Sequence, residues 1–135
     1  MILQPSVFLE SNSLNLDWLC KSNENLEALI LEQEELIYSE VFDDAVPYGD
    51  ILPEDIEDLQ NVLKYYAYQK FAISLRNEHY SSQLIEAGNV NYTEPKIINE
   101  KLFADNLKLA SLNFYSEINK FNNEKFTIKD IYYGK

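Results

Sequence analysis

Residues 51–76 read ILPEDIEDLQNVLKYYAYQKFAISLR, and the reading of this stretch decides the fold class. Pro53 suits a first helical position, because it lacks the N–H that a helix start leaves unpaired and its φ is already helical. Glu54, Asp55, Glu57 and Asp58 then put negative charge beside the positive end of the helix dipole. Ile56, Leu59, Leu63, Tyr66, Ala67, Phe71, Ser74 and Leu75 recur at helical spacing without an intervening Gly or Pro, which marks one buried face. Arg76 stands where a cation favours the last turn. The spacing predicts a helix over 53–77.

Working outward, Leu26, Leu29, Ile30, Ile37 and Val41 repeat at three, four and seven residues and predict a helix over 24–40. Ser22 or Asn23 serves as its cap, followed by Glu24 and Glu27. Residues 42–52, with Pro47, Gly49 and three aspartates, read as a loop. Residues 1–21 read as a lead-in arm. On the other side, 79–95 is polar and holds Gly88, Asn89 and Asn91, so it reads as a long connection or a loose hairpin through QLIEAGNVNY. Asn99 then caps a helix over 99–122 built on Leu102, Phe103, Leu107, Ala110, Phe114, Ile118 and Phe121, with Glu117 intruding on the stripe. After Asn122 and Asn123, KFTIKDIYYGK has β-forming residues in partial alternation with charge. The expected architecture is mainly α: a small bundle of about three long helices, with extended N- and C-terminal arms. Residues 1–123 form the domain and 124–135 the C-terminal arm.

The chain of 135 residues is sized for one core. At 46% hydrophobic and 13% aromatic residues it has the apolar mass to build that core. A lone Cys20 leaves no internal disulfide, which favours an intracellular or virion setting. No basic residue precedes the first apolar stretch and Pro5 interrupts it, so no signal peptide is expected. No run approaches the length of a membrane span, and no membrane partner is expected.

Residue types that carry chemistry are sparse. Glycines at 49, 88 and 134 are too few for a phosphate-cradling loop. His79 has no Cys or His at ligand spacing, and Arg76 stands where a Glu-x-x-His motif would need its glutamate. Val46 and Tyr48 occupy positions that a calcium loop around Gly49 would give to oxygen ligands. Adjacent acids such as Glu34 with Glu35 read as a wet face, since catalytic carboxylates need environments that separate their pKa values. Cys20 has no base nearby in sequence, and the Asn91-Tyr92-Thr93 sequon is read as chance. No catalytic residue, metal or cofactor is expected.

The charge is uneven. Residues 1–63 hold fifteen Asp and Glu against Lys21 alone, whereas 64–135 hold eight acids and ten bases, within a net charge of −12. Such asymmetry points to electrostatic partner choice, and an acidic front half is a poor match for phosphate. A solvated acidic surface explains the same counts. Candidate interface residues are therefore Asp43, Asp44, Glu54, Asp55 and Asp58 from the acidic cluster. Tyr65 and Tyr68 join them, because tyrosines spread around the 53–77 helix fit a subunit interface as well as a core edge. Phe126, Ile128, Ile131, Tyr132 and Tyr133 complete the set, being too apolar for a free tail and suited to packing on another chain.

The order ILPEDIEDLQNVLKYYAYQKFAISL, then SSQLIEAGNVNYTEP, then NEKLFADNLKLASLNFYSEI resembles small head-to-tail connector proteins of tailed bacteriophages over roughly residues 50–121. The resemblance rests on the succession of an aromatic-rich helix, a polar link and a second long helix. It implies a ring of about twelve identical subunits below the portal, closed by heterologous contacts, located in the virion and assembled in the host cytoplasm. The implied partners are copies of the chain, the portal and other neck or tail proteins, with no catalytic residues, no cofactor and no sequence-specific nucleic-acid binding. The competing expectation from charge is a small acidic inhibitor, an immunity protein or DNA mimic that covers a basic site.

Overall fold

The computed structural model describes residues 2–9, 23–86 and 100–132. It is mainly helical: α1 (Pro5–Leu9), α2 (Asn23–Val41), α3 (Ile56–Glu86) and α4 (Glu100–Lys120), with 3-10 turns at Tyr48–Asp50, Pro53–Asp55 and Asp130–Tyr132. Among the described residues, β pairing is limited to one antiparallel bridge between Phe42 and Ile128.

Helix α3 is the axis. Its 31 residues span about 46 Å, and Leu59, Val62, Leu63, Ala67, Tyr68, Phe71, Ala72 and Leu75 are all buried. These positions cover more than one face, because α2 and α4 both pack on α3 and make little direct contact with each other. Pro53 opens a 3-10 turn that runs into α3, as the sequence predicts. The helix continues nine residues beyond the expected end at 77, since nothing between His79 and Ala87 breaks it. Part of the expected connection is therefore helical, and its remainder, with Asn99, lies outside the described residues.

α4 returns antiparallel to α3. Arg76 pairs with Glu100 at 2.7 Å near one end, Tyr66 packs on Phe114 at 5.4 Å in the middle, and Asn123 reaches Asp58 at 3.0 Å near the other. Ala110, Phe114 and Ile118 supply the buried stripe. The intruding Glu117 lies at its edge, 4.0 Å from Lys120.

Both terminal segments pack on the bundle of their own chain, and residues 10–21 of the expected N-terminal arm lie outside the described residues. Ile2, Leu3 and Phe8 are buried in the core, and the Phe8 ring meets Phe71 edge-on at 5.4 Å. Three large apolar side chains within seven residues gain more from the bundle than from solvent, so 2–9 docks and forms α1. At the other end, Phe126 and Ile128 are buried, not offered to a neighbour. Asp43 N donates to Thr127 O and Lys129 N to Val41 O, each at 2.9 Å, which holds the tail beside the end of α2. Phe42 meets the Phe121 ring at a tilt at 5.5 Å and the Phe126 ring edge-on at 6.0 Å. Tyr132 closes the tail: its hydroxyl donates to Glu40 O at 3.1 Å and its ring lies edge-on to Phe114 at 5.4 Å. Of the expected arm, Ile131 is exposed and Tyr133 lies outside the described residues.

Candidate functional site

The structure sorts the acidic residues of the front half into three groups with different work. The first is internal to the fold. Asp55, only 4% exposed, accepts from Lys125 Nζ at 3.2 Å through both oxygens and from Asn123 Nδ2 at 3.0 Å. Glu54 also meets Lys125, at 3.0 Å, and Asp58 shares the Asn123 amide. The ammonium of Lys125 is held above its ordinary pKa, first by Glu54 and then by Asp55. Three of the five predicted interface acids are thus engaged in pinning the segment after α4 to the start of α3. Asp55 is a correction outright, since a side chain this buried meets no partner surface.

Glu34 and Glu40 form the second group. Glu34 sits on the buried stripe of α2, four residues after Ile30 and three before Ile37, and is 3% exposed. It survives burial because it accepts from the backbone N–H of Leu3 and from the Tyr48 hydroxyl. Glu40 accepts from the Tyr66 hydroxyl and lies 3.3 Å from Lys70 Nζ. Burial and these carboxylates push the phenols of Tyr48 and Tyr66 well above the usual tyrosine range. The expected wet face of Glu34 and Glu35 is corrected for Glu34, whose place on the apolar stripe was the available signal, and Glu40 carried no signal in the sequence.

The third group faces outward. Glu27, Glu32 and Glu35 are exposed on α2, and among the described residues no cation pairs with them. Their face runs into a hollow of about 270 Å³ lined by Glu35, Tyr38, Asp43, Asp44, Pro47 and Tyr48. Asp43 Oδ1 accepts from Ala45 N at 2.9 Å, a local turn that fixes its carboxylate, and Asp44 is exposed. The Tyr38 phenol is raised by burial and then by Asp43 and Asp44. The hollow therefore has an aromatic floor and a carboxylate rim, an arrangement that suits a cationic side chain.

The predicted aromatic residues divide likewise. Tyr68 is 1% exposed and belongs to the core, which corrects its placement at an interface. Tyr65 is half-buried at the core edge, with Lys64 Nζ 5.3 Å from its ring centre. Among the described residues no group of three His, Cys, Asp or Glu is placed to hold a metal ion, and no helix is long and apolar enough to cross a membrane. Cys20 and the side chain of His79 lie outside the described residues. No family model, curated protein or solved structure matches the chain.

Proposed function

We propose that the chain is a structural protein that acts through contacts with other proteins, as a ring-forming connector subunit between portal and tail in the neck of a tailed bacteriophage. The observation that carries the reading is the outward acidic face of α2. The fold uses Asp55, Glu54, Asp58, Glu34 and Glu40 internally, yet leaves Glu27, Glu32, Glu35 and Asp44 displayed without a described cation. Like charges concentrated on one face repel one another and are offset when a basic surface covers them. The succession of a long aromatic-rich helix and a second long helix adds support, since the resemblance to the connector family rests on that succession.

Purified phage particles, analysed by quantitative mass spectrometry and electron microscopy, test the reading. A fixed copy number and a ring at the neck are expected. The hollow of Tyr38 and Tyr48 rimmed by carboxylates favours one other reading, an inhibitor that seats a Lys or Arg of a basic enzyme. Absence from particles, together with salt-sensitive capture of a basic nuclease by a monomer, would replace the connector with the inhibitor.

A further inference from the structure

Two outer helix faces remain uncovered, and their chemistry is opposite. On α2, Glu32 and Glu35 are bordered by the exposed Leu31 and Leu36. On α4, Lys101 and Lys108 lie beside Leu109 and Leu112, which are 46% and 60% exposed. Among the described residues no carboxylate pairs with Lys101 or Lys108. Because α2 and α4 both pack on α3 and barely on each other, the two faces cannot cover one another within one chain.

We infer that the α2 face of one copy docks on the α4 face of the next, an inference that rests on the self-assembling reading above. Charge decides the pairing. A two-fold contact of α2 on α2 would oppose Glu32 and Glu35 to their own copies, and α4 on α4 would oppose lysine to lysine. Only α2 on α4 sets acid against base and leucine against leucine. The spacing also agrees: Glu27 to Glu35 advances about 12 Å along its helix and Lys101 to Lys108 about 10.5 Å. Asp105, exposed between the two lysines, dilutes the positive charge. Leucine burial then supplies the adhesion and charge sets direction. Such a contact uses two different patches, so it propagates around a ring or along a filament and does not stop at a dimer. One helix-on-helix contact is small beside a stable interface of roughly 800 Å² per partner, so each joint is weak alone and ring closure reinforces it.

The test uses the full chain, E32K/E35K on α2, K101E/K108E on α4, and L112S, each checked for helical content by circular dichroism. Sedimentation at low salt should give a concentration-dependent assembly for the unaltered chain and at least tenfold weaker association for each variant alone. Mixing E32K/E35K with K101E/K108E should restore assembly, because each reversed face then finds its complement; a misfolded variant could not be rescued this way. If the chain assembles but the reversals change nothing, or the mixture stays apart, the face pairing is wrong and self-assembly stands. If the chain is monomeric at every concentration, the pairing falls, and with it the ring on which it rests.

Discussion

Lys125 Nζ lies 3.2 Å from both carboxylate oxygens of Asp55, joining a partly exposed cation after α4 to a buried anion at the start of α3. This clamp turns what composition presents as surplus acid into part of the fold. Removing Asp55 leaves Lys125 with Glu54 alone and Asn123 with Asp58 alone, and removing Lys125 leaves the buried Asp55 charge with only the Asn123 amide. Asp55→Ala should therefore cost about 2 kcal/mol, and Lys125→Met should also destabilise. The double variant should cost clearly less than the two single losses together. Urea unfolding of the four proteins measures this, and strictly additive losses would contradict the clamp.

The tail is expected to be needed for the domain itself. Phe126→Ala and Ile128→Ala each should cost about 3 kcal/mol, the usual loss for emptying a buried site, and deletion of 124–135 should lower the thermal midpoint sharply. A truncated protein with unchanged cooperative unfolding would mean that the tail packs elsewhere.

Stability should fall above pH 10. The phenols of Tyr48, Tyr66 and Tyr38 have folded pKa values raised above the ordinary 10.0, by burial first and neighbouring carboxylates second. Their stabilising contribution is complete below 10 and is lost progressively as pH rises, because the unfolded chain ionises first. Lys125, raised above its ordinary 10.5, acts in the same direction. Urea midpoints across pH 7 to 11 should show the decline, and Tyr66→Phe should make it shallower. An unchanged slope in that variant would exclude Tyr66 as a contributor.

Glu34 should hold the N-terminal segment in place. Glu34→Ala leaves the Leu3 N–H and the Tyr48 hydroxyl without their acceptor, at a cost of about 2 kcal/mol, and should raise amide exchange at Leu3 before the rest of the core opens. Equal protection at Leu3 in both proteins would refute that role.

The sequence made the long helices legible because Pro53, the acidic first turn and the apolar stripe of α3 all favour the same structure. It understated α3 because Ser81 and Ser82 resemble loop residues, although no helix breaker follows until Gly88. Alternation in Phe126-Thr127-Ile128 made an extended tail readable but could not tell whose surface it covers; Phe42 and the C-terminal end of α2 provide that surface within the chain. For the candidate site, charge counting located the acids and missed their division of labour. Whether an acid faces solvent, like Glu35, or is buried, like Glu34, turns on one step of 100° around a helix and on distant partners such as Leu3.

The contact of Tyr132 with Glu40 spans 92 positions of chain, which imposes an order on biosynthesis. While the ribosome is still making α4, α2 already exists but lacks Ile128 beside Phe42 and the aromatic closure of Tyr132 on Phe114. The end of α2 therefore waits with Phe42 uncovered. Closing so long a separation slows folding, and an unfinished aromatic pocket invites contact with neighbouring nascent chains. Translation through Ile128 supplies the cover that Phe42 lacks until then, and Tyr132 secures it by closing on Phe114 and Glu40.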